Sequence, residues 1–316
     1  MQKEDQIIEA VINVSEGRRP DIIHDIVHLI NRPSAVQVVH TDIGYDVNRT
    51  VLTVIGKSEL LFEAIDRLVA YAKTRLDIST QEGIHPRLGM IDVIPVVALQ
   101  HMSHDELIDM SKEKFLNLAE KHDLPILYYG DLDQQEGRAL FHLRKWNMDK
   151  ALGSELMANA GPQRPHPRLG VSCATVRRLM TAFNINLATQ DMELTRQIVS
   201  DLKVLRRDES SLAKLDTKDV RYLAWYMPKF KCCQVSTNIY DVEAVTMTAL
   251  YDHVATIAEK YDVTLAGSEL IGLAAEKAIT SSGSIDEAIA RLGLDSVKPF
   301  DPDTMILDRI LDKLSL

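Results

Sequence analysis

The length, composition and charge of the chain exclude several classes of protein. At 316 residues it is too long for one small core, so two domains or subdomains are expected. A net charge of −10 argues against a nucleic-acid binder held by phosphate contacts. The three cysteines lack zinc-ligand spacing, and no stretch approaches 18 uninterrupted apolar residues. We therefore expect a cytoplasmic protein in a reducing compartment, with no metal site, signal peptide or membrane span.

The first half of the chain alternates between strand-like and helix-like segments. Its strand-like segments, in chain order, are "QIIEAVINV", "SAVQVVHTDI", "RTVLTVIG", "MIDVIPVV", "LPILYYGDL" and "RLGVSCATV". Apolar residues at helical spacing after Pro20 and after Ser58 predict two helices. The first precedes the second of these strands, and the other follows the third. A third helix is predicted where Ser103 and Glu106 have the spacing of a capping box. The order at the start is strand, helix, strand, strand, helix.

The same order of elements begins again at Leu179. The segments are "LMTAFNINLA", "MELTRQIVSDLKVL", "VRYLAWYM", "CCQVSTNIY" and "EAVTMTALYDHVATIAEKY". We predict an α+β protein of two ferredoxin-like subdomains, 1–179 and 180–316. Each has a mostly antiparallel sheet with helices on its outer face, and a ligand cleft lies between the two. Two short helices at the end are expected to pack on the second subdomain or on a partner chain.

One pentapeptide, His-Pro-Arg-Leu-Gly, occurs twice, at 85–89 and at 166–170. A histidine in a turn at a strand entrance, such as His85, can act as an acid or base near neutral pH. It can also hydrogen-bond within its own loop, which is the commoner role for a histidine in a turn. Arg87, Arg164 and Arg168 can grip a carboxylate through two parallel hydrogen bonds, or can be ordinary surface residues after a turn.

Polar residues at the ends of predicted strands form a second set of candidates. Asn13 and Asn48 can hydrogen-bond a ligand, although capping and turn roles are commoner for asparagine. Asp42, at the end of the second strand, can orient a histidine or face a developing positive charge. Asp92 interrupts an apolar strand, so it is predicted either to face outward or to be buried for a functional reason.

These motifs, taken together, resemble those of the glutamate formiminotransferases. The resemblance covers nearly the whole chain, from about residue 6 to "RLGLDSVKPF". Its carriers are "NVSEG" (13–17), "NRTV" (48–51), "HPRLGMIDVIPV" (85–96), "LYYG" (127–130), "FNINL" (183–187), "QVSTN" (234–238) and "GSELIGL" (267–273). Each motif is short, and their order and compatible spacing make the resemblance specific.

The resemblance implies an activity and a set of site residues. Enzymes of this family move the formimino group of N-formimino-L-glutamate to N5 of tetrahydrofolate during histidine degradation. The family's general base maps onto His85, while the glutamate before it is Ile84 here, with Glu82 two residues upstream. Asp42 is our second candidate catalytic residue. The substrate-binding candidates are Asn13, Asn48, Arg49, Arg87 and the folate segment Gly161, Pro162, Gln163, Arg164, Pro165, His166, Pro167, Arg168, Leu169 and Gly170.

The resemblance also implies partners. Tetrahydrofolate serves as co-substrate without a metal, and the basic folate segment favours a polyglutamylated tail. Animal members carry a cyclodeaminase domain that this sequence lacks, so a standalone form is expected whose product a separate cyclodeaminase processes. A homodimer is expected from the resemblance and the apolar C-terminal helices. The alternatives are formyl transfer between 5-formyltetrahydrofolate and glutamate, and a folate-binding protein without catalysis.

The resemblance suggests a hypothesis for the repeat. Each pentapeptide would place an imidazole and a guanidinium on one wall of a shared cleft. The first copy would transfer protons, and the second would mainly bind substrate.

Overall fold

The computed structural model describes residues 6–45, 47–83, 87–133, 138–144, 157–205, 215, 217–228 and 230–314. The chain forms two compact units, Met1–Arg178 with Leu314–Leu316, and Leu179–Lys313. We call them the first and second units. The boundary predicted from the sequence lies one residue further along the chain than this division.

The first unit contains six strands and four α-helices within its described residues. In chain order they are β1 (Ile7–Val14), α1 (Pro20–Ile30), β2 (Val36–Gly44), β3 (Arg49–Lys57), α2 (Ser58–Arg75), β4 (Ile91–Gln100), α3 (His104–His122), β5 (Ile126–Tyr128), α4 (Leu140–Arg144) and β6 (Ser172–Val176). The capping box predicted at the start of α3 is confirmed. The Ser103 side chain accepts from the backbone N–H of Glu106, and the Glu106 carboxylate accepts from the backbone N–H of Ser103.

The first unit's sheet contains the predicted ferredoxin-like arrangement and extends it. Its strand order is β2-β3-β1-β4-β6-β5. The pairs β2–β3, β3–β1 and β1–β4 are antiparallel, whereas β4–β6 and β6–β5 are parallel. The first four strands therefore have the split βαβ pattern of the ferredoxin-like fold, and β6 and β5 lengthen the sheet beyond β4.

The sheet of the first unit is covered on both faces near β5 and β6. The main core includes Ile126 and Ala174 together with apolar residues of α1, α2 and α3. The alternate residues Leu127 and Cys173 point to the opposite face, as strand geometry requires, and join a smaller cluster with Leu143 of α4. The short helix α4 thus lies on the face opposite the long helices.

The second unit repeats the four-stranded pattern without an extension. Its elements are β7 (Thr181–Leu187), α5 (Met192–Leu205), β8 (Val220–Met227), β9 (Cys232–Ile239), α6 (Met247–Glu259), β10 (Leu265–Ile271), α7 (Glu276–Ile279), α8 (Ile285–Leu292), α9 (Pro302–Met305) and α10 (Leu307–Lys313). Its strand order is β10-β7-β9-β8, and every pair of neighbours is antiparallel.

The C-terminal helices pack on the second unit itself. Leu292 of α8, Met305 of α9 and Ile306 are buried in the same cluster as Phe183 of β7. The predicted packing of these helices on the second unit is therefore observed, and the homodimer stays a prediction. Within the described part of the chain, no helix is both long enough and apolar enough to cross a membrane.

Candidate active site

The face of the first sheet opposite α1, α2 and α3 carries polar and charged side chains. In β1, Ile8, Ala10, Ile12 and Val14 point into the main core, so the alternate residues point the other way. Asn13 pairs with Val51, which pairs in turn with Asp42, and side chains of paired residues share a face. We call this surface the polar face; its members include Glu9, Asn13, Asp42, Arg49 and Asp92.

A buried charge cluster lies on the polar face. Arg49 Nη1 donates to Asp92 Oδ2 at 2.6 Å, and Arg49 Nε and Nη2 donate to Asn13 Oδ1 at 3.1 and 2.9 Å. Arg144 Nη2, from α4, donates to the same Asp92 oxygen at 3.2 Å. Side-chain exposure is 8% for Arg49, 1% for Asp92 and 23% for Arg144. Asp92 is therefore buried with two cations, as one of the two predictions for it required.

The pKa values of the cluster reflect this pairing. Burial acts to raise the pKa of Asp92, but the charges of Arg49 and Arg144 and the backbone N–H of Leu88 lower it below the usual value. Burial lowers the pKa of Arg49, an effect that Asp92 opposes and Arg144 reinforces. Asp92 and Arg49 are both charged at neutral pH, since the pKa of Asp92 lies below its usual value and an arginine stays protonated even after such a shift.

Two residues predicted to bind substrate hold the chain just before His85. Asn48 Nδ2 donates to the carbonyl oxygen of Glu82 at 2.6 Å, and its Oδ1 accepts from the N–H of Gly17 at 2.9 Å. Arg87 donates to the carbonyl oxygens of Gln81 at 2.6 Å and Gly83 at 2.9 Å. His85 itself and its neighbours Ile84 and Pro86 lie outside the described residues.

Further bonds fix this segment to the body of the first unit. Gln81 Nε2 donates to the carbonyl oxygens of Ser15 at 3.0 Å and Asn48 at 2.9 Å. On the other side, the N–H of Leu88 donates to Asp92 Oδ1 at 2.8 Å. The predicted base thus lies in a short segment that is anchored before residue 84 and after residue 86.

The C-terminal ends of the two pentapeptide copies pair with each other. Gly89 and Gly170 form an antiparallel bridge. The N–H of Val171 donates to the carbonyl oxygen of Leu88 at 2.9 Å, and the N–H of Met90 donates to that of Leu169 at 2.8 Å. A Cβ on either glycine would overlap the carbonyl oxygen of the facing leucine or valine. Both copies therefore end in glycine because the two backbones approach too closely for a side chain.

His166 is held by its own turn. Its Nδ1 accepts from the N–H groups of Arg168 at 3.1 Å and Leu169 at 3.0 Å. Burial lowers its pKa, and the nearby charges of Lys73 and Arg168 act in the same direction. The ring is therefore neutral with its proton on Nε2, because Nδ1 must be the acceptor.

Most of the remaining folate segment also has local partners. Arg168 donates to the carbonyl oxygen of Leu76 through Nε at 3.3 Å and Nη2 at 3.1 Å. Gln163 exchanges two hydrogen bonds with the backbone of Ala158. Leu169 is buried in the main core, and Arg164 and Pro167 are exposed. Pro162 and Pro165 are half-buried, and Gly161 and Gly170 have positive φ, +80° and +71°. The substrate-binding role of this segment stays a prediction.

Three further predicted site residues lie on the polar face. Asp42 is half-buried on edge strand β2, in the same cross-strand row as Asn13. Arg49 and Asn13, which sequence reasoning treated separately, bond directly to each other. Among the described residues, no three His, Cys, Asp or Glu side chains come together in a way that could hold a metal ion.

Arg144 is the functional candidate that sequence reasoning missed. It follows Asp92 by 52 residues and sits in a helix of five residues, so no local pattern relates the two. The same reasoning overlooked Gln81, whose bonds to two backbone carbonyls depend on the folded chain. Only a contact between distant segments gives either residue its partners.

A row of polar side chains also crosses the second unit's sheet. Trp225 Nε1 donates to Gln234 Oε1 at 2.7 Å, and Gln234 Nε2 donates to Asn186 Oδ1 at 2.7 Å. The three residues are cross-strand partners on β8, β9 and β7. Two of the motifs that carry the resemblance, "FNINL" and "QVSTN", therefore supply adjacent members of one network.

Comparison with known protein families accounts for both units. The formiminotransferase domain, N-terminal subdomain, matches residues 7–177, and the formiminotransferase domain matches residues 182–285. The chain belongs to the formiminotransferase family. The two matched stretches correspond to the first and second units, and the first includes every residue of the charge cluster and of both pentapeptides.

Curated relatives of the formiminotransferase family fall into two lengths. The chain is 28% identical over 327 residues to the formimidoyltransferase-cyclodeaminase of Rattus norvegicus, covering 97% of this chain and 60% of that protein. It is 28% identical to the glutamate formimidoyltransferase of Streptococcus pyogenes serotype M1, covering 97% and 99%. The corresponding enzyme of Thermoplasma acidophilum is 26% identical, covering 86% and 89%. The chain thus spans about 60% of the fused relatives and nearly all of the bacterial one.

Among solved structures, the likeness is weak. The periplasmic protease PqqL from Escherichia coli matches 81% of this chain and 33% of its own, with a TM-score of 0.19 and 12% identity. That score is too low to indicate a shared fold.

Proposed function

We propose that this formiminotransferase-family protein is a glutamate formimidoyltransferase. It would transfer the formimino group from N-formimino-L-glutamate to N5 of tetrahydrofolate, giving 5-formiminotetrahydrofolate and glutamate in histidine degradation. The observation that carries the proposal is the match of both parts of the formiminotransferase domain, which together cover most of the chain. The nearly full-length similarity to a curated glutamate formimidoyltransferase supports it.

The chemistry needs one group that can accept and return a proton. N5 of tetrahydrofolate attacks the amidine carbon of the donor, and the bond from that carbon to the glutamate nitrogen then breaks. His85 would take the proton from N5 and deliver one to the departing nitrogen, a role typically contributing about 10²–10⁴ in rate. Asp42 would stabilise the positive charge on the amidine carbon and its nitrogens.

The anchoring of the segment around residue 85 supports this assignment. A general base must be held within hydrogen-bond reach of the proton it moves, so its loop must be fixed on both sides. Asn48 and Gln81 fix the chain before residue 84, and Asp92 fixes it at Leu88. In the proposal, Asn48 and Arg87 position this segment, and their predicted contact with substrate stays part of the proposal.

The proposal extends to partners. Tetrahydrofolate, with a polyglutamylated tail as the preferred form, would be the co-substrate. The exposed Arg164 is a candidate contact for the tail. The product would pass to a separate cyclodeaminase, since the animal relatives carry that name as well as the transferase name. A cytoplasmic homodimer remains part of the proposal on the resemblance alone.

A direct assay tests the proposed function. Purified protein is mixed with N-formimino-L-glutamate and tetrahydrofolate, and mass spectrometry follows the 5-formimino product. A parallel reaction with 5-formyltetrahydrofolate and glutamate separates formimino from formyl transfer. Folate binding without either product would refute the proposal and leave the non-catalytic alternative.

A further inference from the structure

We propose that Arg49 and Arg144, on either side of Asp92, form a binding subsite for a carboxylate of the amino-acid donor. The inference rests on the proposed function for the identity of the ligand. Arg49 and Asp92 are nine-tenths or more buried, and Arg144 is more than three-quarters buried. The subsite would therefore bind the carboxylate in a poorly solvated place, where a guanidinium attracts it strongly.

The first argument is the charge balance of the cluster. Two guanidiniums share a single carboxylate oxygen, Asp92 Oδ2, at 2.6 and 3.2 Å. The three residues carry a net charge of +1, and burying an uncompensated charge is costly. An incoming carboxylate would bring the net charge of the cluster to zero. The cluster is therefore more stable with the donor bound than in the free protein.

The second argument is an unused donor. Arg144 Nε is buried and has no hydrogen-bond partner among the residues that the structure describes. Buried donors are nearly always paired, so an unpaired one on a guanidinium suggests a missing acceptor. Arg168, by contrast, donates from Nε and Nη2 to the carbonyl oxygen of Leu76, and Arg87 donates from both Nη atoms to backbone carbonyl oxygens. A carboxylate oxygen beside Arg144 Nε would satisfy the donor that remains.

The third argument is position. Asp92 links the cluster to the N–H of Leu88, three residues after the predicted base His85. Asp92 would thus set the distance between the guanidiniums that hold the donor and the segment that carries the base. Neither carboxylate of the donor reacts, so holding one of them there contributes binding and orientation without touching the chemistry.

Direct binding of L-glutamate to the full chain tests the subsite. Calorimetry would measure the affinity of L-glutamate for the wild type, Arg144→Gln and Arg144→Lys. Chloride salt would keep the ionic strength the same in every titration. We expect Arg144→Gln to bind roughly 10- to 100-fold more weakly, because a charge-assisted bond is lost. Arg144→Lys should recover only part of the loss, since an ammonium cannot present the paired donors of a guanidinium.

The matched control is Arg32→Gln. Arg32 also lies in the first unit and forms an ion pair with Glu63 at 3.6 Å, but its side chain is 55% exposed. This change alters net charge equally and should leave glutamate affinity within twofold. Equal losses in both glutamine variants, unchanged affinity in Arg144→Gln, or no glutamate binding by the wild type would each overturn the subsite.

Turnover separates this inference from the proposed function. If the wild type transfers the formimino group, Arg144→Gln should raise KM for the donor with little change in kcat. An unchanged KM would refute the subsite and leave the proposed activity standing. If no transfer occurs but glutamate binding depends on Arg144, the subsite stands and the proposed activity falls. Arg144→Gln should still fold, since Asp92 keeps its bonds to Arg49 and Leu88.

Discussion

At the scale of single residues, the polar face depends on groups that satisfy one another. Asn13 accepts two bonds from Arg49, whose Nε and Nη2 would otherwise lose these acceptors at that depth. Asp92 accepts from Arg49, Arg144 and the backbone of Leu88. Removal of one member therefore leaves others buried without partners, and that penalty exceeds the value of the bond itself.

Replacement of Asp92 by asparagine should be strongly destabilising. It leaves two largely buried guanidiniums without a counter-charge, at a cost of about 3–5 kcal/mol in the free energy of unfolding. Denaturant unfolding at pH 7 measures this cost, with Arg32→Gln as the control. An effect below roughly 1 kcal/mol would contradict the pairing.

The difference in unfolding free energy between wild type and Asp92→Asn should depend on pH. The pKa of Asp92 is lower in the folded protein than its ordinary value. Its contribution is therefore fully present above the unfolded pKa of about 3.9 and is lost as pH falls through the lower folded pKa. The gap in unfolding free energy between wild type and Asp92→Asn should narrow in acid; a gap that widens there would refute the assignment.

The two pentapeptide histidines should respond differently to substitution. His85→Asn should lower kcat by about 10²–10⁴, because it removes the group proposed to transfer the proton. His166→Asn should keep most activity, since the asparagine oxygen can accept from the N–H groups of Arg168 and Leu169 as Nδ1 does. Steady-state kinetics decides the matter: a severe loss in His166→Asn with a mild one in His85→Asn would reverse the assignment.

At the scale of elements, the repeated pentapeptide joins two distant segments by backbone pairing. The first copy precedes β4 and the second precedes β6, and these strands are parallel neighbours in the sheet. The Gly89–Gly170 bridge lies just before both. The hypothesis that each copy forms one wall of a cleft stays a prediction, while the pairing already accounts for both glycines.

Gly170 and Gly272 provide a matched test of that close approach. Both have positive φ, +71° and +75°, so alanine is strained at each. A Cβ at Gly170 would overlap the carbonyl oxygen of Leu88, whereas nothing in the described chain lies within 4 Å of one at Gly272. We expect Gly170→Ala to lower the free energy of unfolding by about 2–4 kcal/mol and Gly272→Ala by about 1 kcal/mol. Equal losses would rule out the steric explanation.

At the scale of the whole molecule, each unit has its own core around its own sheet. Phe115 belongs to the first unit's main core and Phe183 to that of the second, and both are fully buried. Cores of this kind are the natural boundaries of cooperative opening. The ferredoxin-like pattern thus recurs twice, and only the first unit adds two parallel strands.

Substitution in one core should loosen that unit preferentially. Phe183→Leu leaves a cavity in the core of the second unit, at a cost of about 1–2 kcal/mol. Hydrogen exchange followed by mass spectrometry should show faster exchange in β7–β10 than in β1–β6. Phe115→Leu is the reciprocal variant, and equal acceleration of both units by either change would contradict separate cores.

Periodicity, capping and turn chemistry by themselves determined the order of elements, the two ferredoxin-like patterns and the capping box of α3. These features depend on residues within one or two turns of each other. Tertiary structure alone decided which polar groups meet: Arg144 reaches Asp92 across 52 residues, and the two pentapeptides pair across 81. It also decided that Asn48, Arg87 and His166 have backbone partners. A hydrogen bond depends on positions in space, and local sequence carries no record of distant segments that folding brings within 3 Å.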